Sequence, residues 1–263
     1  MKTTKWLFLS VAIMGFLGTN TAWAEQILRE ARITSIQGQV EVQKSGAADW
    51  QVALQDHKLQ NGDKVKTGPG AQATITLDEG SAIAVSENSE LSVQNMVTDS
   101  ESGNSDSILA ILKGELKADI TPLKLGSHFA IETPLVIATV VGTTFNIGLG
   151  ADGSVTVTTE SGSVSLDSQG ENQFTATVDG GDSITIFQNP ATGEIRITNT
   201  SGTPVTLQGP DGAETTLNPG QSVSFNQDGA ATFTPVPNPT DNPPGGNGAG
   251  EPASGQDTSA SGV

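Results

Sequence analysis

The chain has 263 residues, twelve Lys and Arg against 29 Asp and Glu, a formal net charge of −17 and no cysteine. So acidic a balance argues against nucleic acid, whose binding is dominated by Lys and Arg contacts to phosphate, and against electrostatic docking on anionic lipid. Without cysteine there is no disulfide and no lipoprotein-type attachment residue, so the fold rests on packing and hydrogen bonding alone.

Lys2 and Lys5 form a positive n-region, Trp6 to Gly18 an apolar h-region, and Ala22-Trp23-Ala24 a small-x-small cleavage site. Residues 1–24 are therefore expected to be a signal peptide, with a mature chain from Glu25. As a helix the h-region would reach only about 20 Å, short of a hydrocarbon core of about 30 Å. No other segment is long or apolar enough to span, so after cleavage the chain is expected not to span the membrane. Removal of the two lysines takes the net charge from −17 to −19. The expected location is periplasmic or secreted.

From there the pattern is period two. Apolar residues alternate at Val40 and Val42, along Ala71, Ala73, Ile75 and Leu77, and at Ile83 and Val85, then Leu91 and Val93. The alternation resumes at Val155 and Val157, Val164 and Leu166, Ile184 and Ile186, Ile195 and Ile197, Val205 and Leu207, and Val223 and Phe225. One apolar and one polar face is the mark of half-buried strands. Asp78-Glu79-Gly80, Asp152-Gly153, Asp179-Gly180-Gly181, Asp211-Gly212 and Asn218-Pro219-Gly220 supply the turns. Ser107 to Leu116 is the one stretch that a helix could claim, and its Ile108–Leu112 core is short enough for a buried strand.

Strands about every ten residues predict an all-β fold of repetitive short strands, a β-solenoid-like or sandwich-like stack. An internal echo points to repetition. Leu59-x-x-Gly62-Asp63-x-Val65 returns as Val178-x-x-Gly181-Asp182-x-Ile184 and as Leu217-x-x-Gly220-Gln221-x-Val223. Reuse of a common turn would also produce it. Residues 235–263 hold six prolines, six glycines, no Lys or Arg, and only Val236 and Val263 as bulky aliphatics. That composition cannot bury enough surface to offset its ordering entropy, and a disordered Pro/Gly-rich acidic tail is expected.

The stretch Glu132-Thr133-Pro134-Leu135 through Gly142-Thr143-Thr144-Phe145, preceded by Leu59 to Asp63, Thr67-Gly68, Asp78 to Ser81 and Lys113 to Leu116, resembles the FecR domain family from Ile33 to Ile147. The resemblance implies stacked β-turn units. It marks Gly62, Asp63, Gly80, Thr133, Pro134, Gly142, Thr143 and Phe145 as structural motif residues, and it brings no catalytic residues. Residues 25–148 are read as the FecR-like β-domain, and 149–234 as continuing β-structure or a second small β-domain. Membrane-bound members of the family are sensors, with a cytoplasmic sigma-handling segment and one membrane helix. With five residues ahead of its h-region, this chain is expected to lack that segment and to keep the periplasmic type of domain alone.

Chemistry is sparse. Gly148-x-Gly150-x-x-Gly153 has the spacing of a dinucleotide loop, but a strand pattern follows where a helix N-terminus must hold the pyrophosphate, so a hairpin turn explains it better. His57 and His128 have no nucleophile motif beside them and read as structural or solvated, and no catalytic residue is assigned. Asp99, Glu101 and Asp106 gather oxygen donors in one loop, the ligand type that calcium prefers, without EF-hand spacing. Calcium is the one cofactor this chemistry admits, and a solvated linker from Val93 to Ile108 is the plainer reading. Trp50 fits either sugar stacking or packing of the domain's first turn, the second being what the resemblance implies. The expected function is a non-enzymatic envelope or extracellular interaction module with a protein partner. The alternative is a polysaccharide- or calcium-binding surface protein.

Overall fold

The computed structural model describes residues 26–170, 173–226 and 231–234. The expected signal peptide and tail lie outside the described residues. No helix occurs among those described, and Ser107 to Leu116 is strand.

The N-terminal strands are β1 (Gln26–Leu28), β2 (Ala31–Gln37), β3 (Val40–Gln43), β4 (Trp50–Val52), β5 (His57–Leu59), β6 (Lys64–Thr67), β7 (Gln72–Leu77), β8 (Ala82–Val85) and β9 (Glu90–Asp99). The long β10 (Ser105–Asp119) follows. Six hairpins complete the described residues: β11 (His128–Glu132) with β12 (Val136–Val140), β13 (Thr144–Leu149) with β14 (Val155–Ser161), and β15 (Ser163–Ser168) with β16 (Thr175–Asp179). The last three are β17 (Ser183–Gln188) with β18 (Ile195–Asn199), β19 (Val205–Gln208) with β20 (Glu214–Leu217), and β21 (Ser222–Phe225) with β22 (Ala231–Thr234).

These strands form two sheets. Sheet I runs β4, β3, β6, β9, the first part of β10, β11, β12, β15, β16, β19, β20, with β1 beside β6 on the edge of β9. Sheet II runs β5, β2, β7, β8, the last part of β10, β13, β14, β17, β18, β21, β22. Successive hairpins after β10 fall alternately in the two sheets. Of the described ladders only β10–β11 is parallel.

Alternation makes this possible. In β12, Val136, Ala138 and Val140 are buried while Ile137 and Thr139 are half-buried on the outer side. The inward residues of both sheets form one hydrophobic cluster from Ala31 to Phe225. Phe129, Phe145, Phe174 and Phe225 are its largest members, and the last two stack at 6.5 Å between ring centroids. The stack is thus sandwich-like in its layers and solenoid-like in its progression.

β10 passes from one sheet to the other at Gly114. This residue has φ +80, and a Cβ there would lie 2.6 Å from Ser89 Cα. Ser89 is buried, and its hydroxyl accepts from Glu115 N at 2.9 Å while Thr67 Oγ1 accepts from Ser89 N at 3.0 Å. Only glycine allows the backbones to meet so closely.

One local expectation changes. The solvated linker from Val93 to Ile108 shrinks to the turn between Asp99 and Ser105, because β9 and β10 pair across it and bury Met96, Val97 and Ser107. Trp50 is not in the core cluster. It lies half-buried on the edge strand β4, with Lys66 Nζ 4.3 Å above its ring.

Candidate functional site

The hairpins are joined along one flank of the sandwich, and the recurrent glycine motif sits there. Gly181 N donates to Thr159 O, Thr159 N to Asp182 O, and Asp182 N to Asp179 O. Gly220, Gln221 and Asn199 repeat that pattern, with Gln221 N donating to Asn218 O. Gly62, Asp63 and Val93 repeat it a third time, with Asp63 N donating to Gln60 O. Each is a crossing between sheets. Thr143 exchanges both backbone bonds with Ile120, and its hydroxyl donates to Ser163 O at 2.9 Å. A Cβ on Gly142 would lie 2.9 Å from Pro122 Cα, so this crossing packs directly on the preceding one.

Asp63, 1% exposed, binds the crossing together. Its carboxylate accepts from Lys44 Nζ at 2.7 Å, Ser45 N at 2.9 Å and Gln60 N at 3.0 Å. Burial pushes its pKa up, but these donors outweigh burial and hold it below the ordinary value. His57 is held below its ordinary value by burial and by the Lys44 charge, against the pull of Asp63. Thr133 is buried in the β11–β12 turn, where its hydroxyl accepts from Val136 N at 2.9 Å and donates to Val136 O at 2.8 Å, next to Pro134. Gly80 turns β7 into β8, and Phe145 is fully buried. The motif residues therefore serve turns, crossings and core.

The acidic loop is spent on itself. Asp99 accepts from Ser102 N and Ser102 Oγ, each at 2.7 Å, and from Glu101 N at 3.1 Å. Asp106 accepts from Asn95 Nδ2 at 2.8 Å, and Glu101 is exposed. Among the described residues no three ligating side chains converge on a metal-sized site. Gly150 to Gly153 is the β13–β14 hairpin turn, with Gly153 N donating to Gly150 O.

Two surface features did not show in the residue pattern. In sheet I, β16 and β19 pair through only Thr175↔Gln208 and Ala176↔Leu207, whereas β12–β15 holds four pairs. Beyond them the strands part around a groove of about 300 Å³, lined by Thr177, Asp179, Asp182, Thr206, Gln208 and Glu214. In sheet II, outward hydroxyls lie in register over consecutive strands. Thr156 faces Thr185, Thr185 faces Thr198, and Thr198 faces Ser222. Within these pairs Thr156 and Thr185 hydroxyls are 3.0 Å apart, and those of Thr198 and Ser222 are 2.8 Å apart.

The FecR protein family model matches residues 63–165, and this part of the chain is a FecR domain. Two crystal structures of a "putative anti-sigma factor" from Parabacteroides distasonis ATCC 8503 are similar at 18% identity, with TM-scores of 0.40 and 0.41. Each alignment covers 52% of this chain and 59% of that protein, so the chain spans about three-fifths of its length. No curated protein matches. The family match is to regulatory or sensing modules. No helix among the described residues is long and apolar enough to cross a membrane.

Proposed function

We propose that this protein is an exported, non-enzymatic binding module of the cell envelope or extracellular space that receives an extended segment of a partner protein. The signal-peptide pattern of residues 1–24 supports export. The observation that carries the binding mode is the parting of β16 from β19. It leaves the edges of Thr177–Asp179 and Val205–Thr206 facing a groove, where an added strand finds backbone partners and side-chain pockets. Asp179 and Glu214, both exposed, favour a cationic segment.

Cross-linking capture from envelope and culture fractions tests this, with the chain from Glu25 as bait. One dominant partner is expected, lost on Asp179→Lys with Glu214→Lys at an unchanged melting midpoint. Undiminished capture by that variant would remove the groove from the account. Mass spectrometry of the exported chain should find Glu25 at its N-terminus.

The hydroxyl row of sheet II supports a second reading, a platform for polysaccharide. Retention on cell-wall glycan without any protein partner would favour it.

A further inference from the structure

The two ends of the stack are open, and they differ. At one end sheet I stops at β4 and sheet II at β5; at the other, among the described residues, they stop at β20 and β22. Terminal repeats of stacked architectures normally carry a polar capping face, and exposed sheet edges are normally blunted by charge, proline or bulges. Here both ends keep apolar side chains in solvent. Phe233 on β22 is in register with the fully buried Val223, so it stands on the core side of sheet II, yet it is 56% exposed. At the other end Val52 is 71% exposed and Leu54 69%, and Ile27 and Leu28 are exposed on β1 at the edge of β9. Of the eight large apolar side chains exposed among the described residues, Phe233, Val52 and Leu54 are at the two ends.

Charge separates the ends. Of the ten Lys and Arg in residues 26–234, six lie from Arg29 to Lys66, against five Asp and Glu in that span. Residues 125–234 carry eleven Asp and Glu and one cation, Arg196. At the first end Lys58 is on the terminal strand β5, Lys44 in the β3–β4 hairpin, and Lys64 and Lys66 on β6; three of them are paired within the chain, Lys58 with Glu30, Lys44 with Asp63 and Lys66 with Glu41, so this end is close to neutral. At the second, Glu214 is on the terminal strand β20 and Asp211 in the turn before it. Two copies meeting through like ends would set the anionic ends together, or leave them unused. Two meeting through unlike ends would bring the acidic end to the near-neutral one, apolar edge to apolar edge, and sheet to sheet.

We infer that copies of this chain associate head to tail, the β20–β22 end of one on the β4–β5 end of the next. The inference is independent of the groove between β16 and β19. Such an interface is heterologous and, unless its rotation closes a ring, grows beyond two copies. Its electrostatic part is screened by salt.

Sedimentation of the chain from Glu25 over a wide concentration range reads the result. The weight-average mass is expected to rise past that of a dimer with concentration, and to fall when salt is added. Phe233→Asp and Val52→Lys should each abolish growth, with the far-UV spectrum and melting midpoint unchanged. The decisive arm mixes these two variants. Each keeps one intact end, so the mixture should form a heterodimer and stop there. A monomer at every concentration would overturn the inference. So would a dimer that stops at two in the unsubstituted chain, or a variant mixture that stays monomeric.

Discussion

Gly114 is where one strand serves two sheets, and its backbone bears the cost of any side chain. Gly114→Ala meets Ser89 as well as an unfavourable positive φ, and is expected to destabilise by about 3 kcal/mol in urea unfolding. Gly153 has a similar φ of +82 but open space around it, so Gly153→Ala should cost only about 1–2 kcal/mol. Asp63 and His57 both contribute to the acid response. His57 has a folded pKa below its ordinary 6.5, so its contribution is complete above 6.5 and is lost as pH falls below that value. Asp63 is likewise lowered, from an ordinary 3.8, and its contribution is complete above 3.8 and lost as pH falls further. Melting midpoints should therefore decline in two stages on acidification. His57→Gln should flatten the first, and Asp63→Asn should lessen the second, which the likewise lowered Glu30, Glu41, Asp99, Asp152 and Glu160 share.

At the scale of elements, the crossings decide the fold. Asn199 is fully buried, and its Nδ2 donates to Thr203 O at 2.7 Å and Leu217 O at 2.8 Å. Its Oδ1 accepts from Ser201 N at 2.9 Å. Asn199→Ala would strand these buried groups and should cost about 2–4 kcal/mol. Thr159 holds the equivalent place one crossing earlier, but its buried hydroxyl has no hydrogen-bond partner. Thr159→Val should be neutral or stabilising by up to about 1 kcal/mol, read as a melting shift opposite in sign to that of Asn199→Ala. The spacing of these crossings was partly legible. Gly181 and Gly220 are 39 residues apart, and the crossing glycine Gly142 stands 39 before Gly181. The echo motif missed Gly142 because Thr139 stands three residues before it, where Leu59, Val178 and Leu217 stand before the other glycines. It found Gly62, which lies outside that period but makes the same three backbone bonds.

For the whole molecule, the continuous core from Ala31 to Phe225 predicts one cooperative unfolding transition rather than separate ones for the FecR match and the strands beyond it. After removal of residues 1–24, Trp50 is the sole tryptophan, and it reports the β4 end. Its fluorescence and far-UV circular dichroism should give coincident denaturant midpoints. Separated midpoints would mean that the stack melts from one end, as solenoids with weak couplings do.

By itself the sequence determined what local physics determines. Period two gave the strands, Asp-Gly and Pro-Gly the turns, Asp152-Gly153 a hairpin in place of a nucleotide loop, and the Thr133 to Phe145 stretch the FecR resemblance. Charge and composition are written directly in the residues. Sheet membership is not, because an inward Val in β12 and one in β14 look alike until the crossing between them sends their hairpins to opposite sheets. The parting of β16 from β19, the hydroxyl row of sheet II and the two unlike ends depend on which strands become neighbours. Those pairings join residues distant in sequence, and no local pattern of side chains carries that information.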